Sequence, residues 1–172
     1  MKIRYLYSAG VMIETPDTRV LCDPWVTQGV HAGSWFHYPY TPDLADKIGP
    51  CDLIYLSHVH GDHTDTVFLR QYLLRYPDAR VVIAPFTNSH LAHVLRGESI
   101  PHTIGAEFSK GGTTLGLFPA NGYPDDVDSV LVVKHGNQSV VNWNDNTENP
   151  DLIARVKAFA PDITCALLPH AG

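Results

Sequence analysis

The chain has 172 residues, of which 44% are hydrophobic, and it carries a formal net charge of −6 at pH 7. This length and composition predict one globular domain over residues 1–172 that can bury a substantial core. The acidic balance, with no cluster of Lys and Arg, excludes nucleic acid and an anionic membrane surface as expected partners.

The chain contains three widely spaced cysteines, Cys22, Cys51 and Cys165, with no Cys-x-x-Cys pair. This pattern favours a reducing compartment over a disulfide framework. The N-terminus lacks an apolar run of signal-peptide length, and no stretch approaches the ~20 apolar residues of a membrane span. We therefore expect a cytoplasmic protein that acts on a small molecule. Whether it forms a homo-oligomer is left open by the sequence.

The first third of the chain predicts a β-meander. Strand-forming residues occupy positions 3–7, 11–14 and 19–22, and Thr15-Pro16-Asp17 supplies turn chemistry between the last two strands.

Residues 23–50 then predict a long loop rich in aromatic residues. Thr41 as N-cap and Pro42 at the first helical position predict a short helix within it. Long loops in compact domains are usually functional, so Trp35 and Tyr38 are candidates for the wall of a substrate cleft. The alternative is that these aromatic side chains only bury the loop.

A predicted buried strand at residues 53–56 leads directly into the metal loop, which we define as residues 57–65. The metal loop carries four potential metal ligands within six positions: His58, His60, Asp62 and His63. A brief continuation of the strand turns the first two histidines to one side. Gly61 is expected to take backbone angles closed to other residues and to turn the chain there. This density of ligands predicts a mono- or dinuclear metal site.

The remaining elements alternate between helices and strands. Helices are predicted at residues 66–76, at 88–96 behind Thr87 or Asn88 as N-cap, and from Asn149-Pro150 to residue 160. Strands are predicted at residues 80–84, 102–104, 113–118, 129–134, 139–142 and 164–168. Together these elements predict a mixed α/β (α+β) fold, a four-layer αββα sandwich.

His58-Val59-His60-Gly61-Asp62-His63 matches the His-x-His-x-Asp-His signature of the metallo-β-lactamase fold superfamily, which the chain resembles. Three further stretches resemble the branch that contains the metallo-hydrolase-like domain of CMP-N-acetylneuraminate hydroxylase: residues 20–25, Gly33-Ser34-Trp35 and residues 140–146. The resemblance implies the αββα sandwich. Because that fold usually needs a longer chain, we expect the C-terminal half of the domain to be incomplete.

The resemblance also implies a ligand set. His58 and His60 would hold one ion, Asp62 and His63 the other, and Asp145 would bridge them, with Asp62 and Asp145 also acting in catalysis. His170 is a further candidate ligand for the second ion. Such ligands suit Zn, Fe and Mn about equally. A turn-forming role for Asp145 and a simple strand-end position for His170 remain the alternatives.

Three polar residues complete the candidate site. Asn121 stands where the superfamily commonly has a third histidine for the first ion, and an amide is a weaker ligand. That site is then loose, empty, or completed by water or His102, for which a hydrogen bond to the backbone is the alternative. Asn121 is also a candidate substrate contact. Asp23 is expected to orient a ligating imidazole through its other ring nitrogen, or to serve as a turn residue before Pro24.

The leading hypothesis is a metal-dependent hydrolase in which the metal activates water for attack on a small-molecule substrate. The first alternative is a di-iron oxygenase or redox component. It would need an electron-donor partner, because the Cys-His pairs of a Rieske segment are absent from the sequence. The second alternative is a non-catalytic domain that the metal stabilises.

Overall fold

The computed structural model describes residues 1–120 and 128–169, which form two β-sheets flanked by helices. The first sheet has six strands: Lys2–Tyr7 (β1), Gly10–Glu14 (β2), Arg19–Cys22 (β3), Leu53–Leu56 (β4), Arg80–Ile83 (β5) and His102–Ile104 (β6). The second sheet has five: Glu107–Lys110 (β7), Thr113–Pro119 (β8), Ser129–His135 (β9), Gln138–Asn142 (β10) and Cys165–Leu167 (β11). The helical segments are Val30–Gly33 (α1), Leu44–Ile48 (α2), Thr66–Arg75 (α3), His90–Gly97 (α4) and Pro150–Phe159 (α5).

Strand direction changes within each sheet. In the first sheet β1, β2 and β3 pair antiparallel, and β3 to β6 then run parallel to one another. In the second sheet β7 to β10 pair antiparallel, and β11 lies parallel to β10 at the edge. Successive strands lie side by side in both sheets, so the hydrophobic pattern of each strand is enough to fix which face it buries.

Three clusters of buried side chains separate four layers. Helices α2, α3 and α4 cover one face of the first sheet, where Leu21 packs against Leu69 and its neighbours. The opposite face carries Val20 and packs on the second sheet around Leu131. Helix α5 covers the outer face of the second sheet through Leu152. The predicted αββα sandwich is confirmed.

Several local predictions need correction. Strand β7 was not predicted, because it is an edge strand with one apolar residue, Phe108, among polar ones. Helix α2 does not begin behind Thr41, because the Thr41 hydroxyl lies 2.6 Å from Nδ1 of His37 and is engaged there. Helix α4 is capped by Ser89, whose side chain accepts a hydrogen bond from the backbone of Ala92, and not by Thr87 or Asn88. Among the described residues, no helix is long and apolar enough to cross a membrane.

Candidate metal centre

The metal loop lies where the ends of several strands meet. Asp23 directly follows β3, the metal loop follows β4, and Asp145 lies in the turn after β10. Asp128 directly precedes β9, which runs antiparallel to β10 and therefore begins at the same edge. The topology thus gathers one imidazole-rich loop and three separate carboxylates.

His58, His60 and Asp145 form the most compact group of potential ligands. One ligand atom from each of the three lies within 4.8 Å of the other two. Nε2 of His58 is 2.8 Å from Nδ1 of His60 and 3.8 Å from Oδ2 of Asp145. Two imidazole nitrogens and a carboxylate oxygen at this spacing fit a divalent transition metal.

His63 and Asp62 lie beside this group. Nε2 of His63 is 3.3 Å from Oδ2 of Asp145 and 3.7 Å from Oδ2 of Asp62. Burial alone lowers the pKa of His63, but its hydrogen bonds to the carboxylates of Asp145 and Asp23 outweigh burial and raise it to about 10. The hydrogen bond from His63 in turn lowers the pKa of Asp145. These carboxylates therefore supply negative charge that favours a bound cation as it favours a proton.

Asp23 lies behind the metal loop, fully buried and with a positive φ of 43°. Its Oδ2 is 3.3 Å from Nδ1 of His63, and its Oδ1 accepts a hydrogen bond from the backbone N–H of Ser57 at 2.7 Å. With Nδ1 of His63 directed at Asp23, Nε2 of that ring faces the cluster. The positive φ explains why Asp, which tolerates the left-handed region, occupies this strand end.

Asp128 is a site residue that the sequence reasoning missed. Its Oδ1 lies 3.4 Å from Nδ1 of His58, and the side chain is 3% exposed. Its Oδ2 accepts hydrogen bonds of 2.9 Å from the backbone of Asp145 and from the amide of Asn146. Burial raises the pKa of Asp128, and the neighbouring His58 opposes that effect. The only signal in the sequence is an acid directly before an apolar strand.

His31 was also missed, although it lies close to the predicted Gly33-Ser34-Trp35 stretch. Its Nε2 is 2.9 Å from Oδ1 of Asp62, and its ring centroid is 4.6 Å from that of Trp35. The ring centroid of His60 lies 6.0 Å away.

Gly61 does not have the positive φ that we expected for it. The glycine instead permits a close approach, because a Cβ at this position would lie 3.2 Å from Cβ of Val30, which is a tight contact. The metal loop therefore turns with ordinary backbone angles and packs directly against residues 29–33.

A cleft of about 750 Å³ opens over the cluster. Asp62, His63 and Asp145 lie on its lining, and Trp35 contributes to one wall. Tyr38 does not line this cleft. It lines a neighbouring aromatic pocket of about 520 Å³, which shares Trp35 with the cleft.

Three further residues were predicted for the site: Asn121, His170 and His102. Asn121 and His170 lie outside the described residues. His102 is on β6, where its Nδ1 is 3.0 Å from the backbone carbonyl of Ile100, and it is not part of the compact group of ligands. The backbone-bonded alternative for His102 is therefore the one observed.

A sequence profile described as "Beta-lactamase superfamily domain" matches residues 18–130, which include the metal loop and strands β3 to β8. The chain belongs to the β-lactamase superfamily. The resemblance predicted from His-x-His-x-Asp-His is thereby confirmed.

This β-lactamase superfamily domain has longer relatives. It is 32% identical over 158 residues to a protein of Mycolicibacterium smegmatis whose name places it among the Rieske 2Fe-2S iron-sulfur proteins. That match covers 84% of this chain and 30% of the relative. The chain is also 26% identical over 156 residues to cytidine monophosphate-N-acetylneuraminic acid hydroxylase of Mus musculus, covering 86% of this chain and 26% of the hydroxylase. The chain therefore spans less than a third of the length of either relative.

A solved structure shares the fold. The isothiocyanate hydrolase from Delia radicum gut bacteria superposes with a TM-score of 0.68 at 15% sequence identity, covering 92% of this chain and 68% of that chain. Similar enzymes thus include a hydrolase as well as a hydroxylase.

Proposed function

We propose that this domain is a divalent-metal-dependent hydrolase of a small-molecule substrate. The observation that carries the proposal is the position of Asp145, whose carboxylate lies within 4.8 Å of ligand atoms of His58 and His60 and also lines the open cleft. One group of side chains therefore combines the means to hold a metal with access for a substrate.

In this proposal His58, His60 and Asp145 would hold one ion, and Asp62 and His63 would hold a second, with Asp145 available to both. A bound divalent metal lowers the pKa of water and polarises a substrate oxygen. Zinc, iron and manganese all suit imidazole and carboxylate ligands, so the donor set leaves the metal open among these three. His170 remains a candidate ligand of the second ion, and Asn121 a candidate contact to substrate.

The surrounding side chains fix the orientation of the ligands. Asp23 accepts the Nδ1 proton of His63, and Asp128 lies against Nδ1 of His58, so each ring directs Nε2 at the other candidate ligands. Asp62 and Asp145 also line the cleft, where one of these carboxylates would accept the proton that an attacking water gives up.

The aromatic pocket supplies a place for the part of the substrate that does not react. It carries exposed aromatic side chains, with Trp35 51% and Tyr38 93% exposed, and none of the described residues that line it is charged. About half or more of each of these two side chains is accessible to a ligand. We therefore propose that Trp35 and Tyr38 contact an uncharged ring of the substrate. Trp25, which is 5% exposed, is by contrast part of the loop's own core.

The test is a hydrolysis screen of metal-free protein reloaded separately with Zn²⁺, Mn²⁺ and, under anaerobic conditions, Fe²⁺. Chromogenic phosphodiester, lactone, thioester and β-lactam substrates cover the main reaction classes. We expect metal-dependent turnover that is lost in His58→Ala and Asp145→Ala and kept in His93→Ala, which removes an exposed histidine of α4. No metal-dependent turnover of any substrate, or full activity in Asp145→Ala, contradicts the proposal.

A second candidate is an oxygenase or redox component, and the names of the two relatives favour it. The three cysteines within these 172 residues form no Rieske pair with histidine, so electrons would have to come from outside these residues. Oxygen uptake separates the two functions. Iron-loaded protein supplied with a chemical reductant and substrate consumes oxygen if it is an oxygenase, whereas hydrolysis proceeds equally well without oxygen.

A further inference from the structure

Residues 29–33 form a left-handed turn beside the metal loop. The φ angles are 80° at Gly29, 53° at His31, 57° at Ala32 and 84° at Gly33. Left-handed conformations cost L-residues about 1–2 kcal/mol each, so the surroundings of His31 and Ala32 must enforce this backbone. The turn is closed by hydrogen bonds of 2.9 Å from the Gly33 N–H to the Gly29 carbonyl and from the Gly29 N–H to the Trp35 carbonyl.

The strained backbone directs the His31 imidazole at the metal loop. Nε2–H of His31 donates to Oδ1 of Asp62 at 2.9 Å, while the ring packs against Trp35. The residue before His31, Val30, packs on Gly61, where an added Cβ would lie 3.2 Å from Cβ of Val30. The left-handed turn and the metal loop therefore fit together at two successive positions on each segment.

We propose that His31 is a positioning residue of the metal centre, which holds Oδ1 of Asp62 so that Oδ2 is directed toward His63. This inference rests on the proposed function, because it takes Asp62 as a metal ligand. Oδ2 of Asp62 lies 3.7 Å from Nε2 of His63, on the side of the carboxylate away from the His31 hydrogen bond. A carboxylate with one oxygen already fixed loses less freedom when the other binds a metal.

Two substitutions separate the hydrogen bond from the fold of the turn. Asparagine tolerates the left-handed region but is too short to reach Asp62, so His31→Asn keeps the backbone and removes the contact. Glutamine places its amide nitrogen near the position of Nε2, so His31→Gln restores a donor to Asp62. Ala32→Gly is the matched control, because it relaxes the neighbouring strained residue and leaves the imidazole in place.

The measurement is Zn²⁺ and Co²⁺ titration of metal-free protein against a chromophoric chelator, with the visible spectrum of the Co²⁺ form as a record of ligand geometry. Loss of contacts that orient metal ligands typically costs roughly 10- to 100-fold in affinity. We expect a loss of that size in His31→Asn for the binding step that Asp62→Ala also weakens, with a changed Co²⁺ spectrum. His31→Gln is expected to recover much of the affinity, and Ala32→Gly to behave as the wild type.

Two outcomes overturn the inference, and they are distinguishable. If Asp62→Ala weakens metal binding while His31→Asn binds as the wild type does, His31 does not position the ligand and the proposed metal centre stands. If Asp62→Ala itself binds both ions with wild-type affinity, Asp62 is not a ligand, and the second metal site of the proposed function fails together with the inference. Circular dichroism and thermal unfolding of each variant establish that it is folded before its metal binding is compared.

Discussion

Oδ2 of Asp128 accepts a hydrogen bond from the backbone N–H of Asp145 at 2.9 Å, while Oδ1 of the same carboxylate lies 3.4 Å from Nδ1 of His58. One buried side chain thus contacts two proposed ligands of the same ion, one through its backbone and one through its ring. The two ligands come from different sheets, following β4 and β10. Asp128 therefore links the two sheets at the candidate metal centre.

The first prediction is that Asp128→Ala weakens metal binding by roughly 10- to 100-fold, because it frees both the His58 ring and the turn that carries Asp145. Asp128→Asn is expected to lose less metal affinity than Asp128→Ala, because its amide oxygen still accepts a hydrogen bond from one backbone N–H. The measurement is metal titration against a chelator. Asp52→Asn, which removes a carboxylate bonded to the backbone of Arg19, is the control. Equal metal affinity in Asp128→Ala and the wild type would show that Asp128 only supports the fold.

The second prediction concerns removal of the metal. Buried imidazoles and carboxylates crowd together at the metal loop, so a cation that binds only the folded state stabilises it. At 100 times Kd that stabilisation is about 2.7 kcal/mol. In a domain of this size we expect EDTA to lower Tm by roughly 5 to 10 °C. The comparison is with His58→Ala, whose Tm is expected to be insensitive to EDTA. A metal-loaded wild type with the same Tm before and after chelation contradicts the metal centre.

Much of the fold could be predicted from the sequence, because most strands are runs of apolar residues bounded by turn residues. Helix α5 shows the same agreement, since Asn149 caps it and Pro150 occupies its first turn as expected. Edge strand β7 lacked such a run and was missed. The cap of α4 was misassigned among Thr87, Asn88 and Ser89, because three adjacent polar residues offer nearly equivalent signals.

The metal loop could be predicted because its candidate ligands lie within six positions of the sequence. The contributions of His31 and Asp128 could not be predicted. The position of Asp128 depends on which strand ends meet, and that of His31 depends on a left-handed turn in a long loop. Neighbouring Gly29 and Gly33 permit that turn but also fit many other loop conformations. The case of Gly61 is similar, since the sequence identifies a glycine but does not distinguish an unusual φ from a close contact with Val30.

The third prediction is a pH dependence of stability at the opposite end of the sandwich. There Asp17 joins the two sheets, accepting hydrogen bonds from the Thr113 hydroxyl at 2.6 Å and from the Gly112 N–H at 2.5 Å. These bonds lower the pKa of Asp17 from its usual 3.8 to about 2. The ionised carboxylate therefore stabilises the folded state fully above about pH 4, and its contribution is lost as the pH falls toward about 2.

We accordingly expect Asp17→Asn to lower the free energy of unfolding most at pH 7 and progressively less below pH 4. Urea unfolding of metal-free protein at several pH values measures the difference, since metal release at low pH would otherwise contribute. Asp78→Asn, at an exposed position, controls for the loss of one negative charge. A difference between Asp17→Asn and the wild type that stays constant from pH 7 to pH 3 would refute the prediction.

The fourth prediction concerns Asp65, the last residue of the metal loop. Its Oδ1 caps helix α3 by accepting from the Phe68 N–H at 2.9 Å, and its Oδ2 accepts from the backbone of Val26 and Thr27 at 3.0 and 2.5 Å. Asp65→Ala removes the cap and also leaves half-buried loop donors without this acceptor, so we expect a loss of about 2 to 4 kcal/mol in the free energy of unfolding.

Ser89→Ala is the matched control for Asp65→Ala. Ser89 also caps a helix, α4, and its side chain accepts from the backbone of Ala92 within that same helix, so the loss is expected to be about 1 kcal/mol. Denaturant unfolding compares the two variants. If both variants lose the same free energy of unfolding, the hydrogen bonds that Asp65 accepts from the long loop contribute nothing measurable to stability.

The last prediction tests the aromatic pocket. The Tyr38 side chain is 93% exposed and lines the pocket, while the bond that holds this residue is donated by its backbone N–H to the Tyr7 hydroxyl at 2.7 Å. Tyr38→Ala should therefore leave Tm and metal content unchanged. If the pocket holds an uncharged ring of the substrate, losing one wall raises KM several-fold with little change in kcat, because this contact is equal in the ground and transition states.

Tyr40→Ala is the control, since Tyr40 is 67% exposed in the same loop but lines neither cavity. Steady-state kinetics on the substrate that the hydrolysis screen identifies measures both variants, and equal KM values in Tyr38→Ala, Tyr40→Ala and the wild type would remove the pocket from the substrate site.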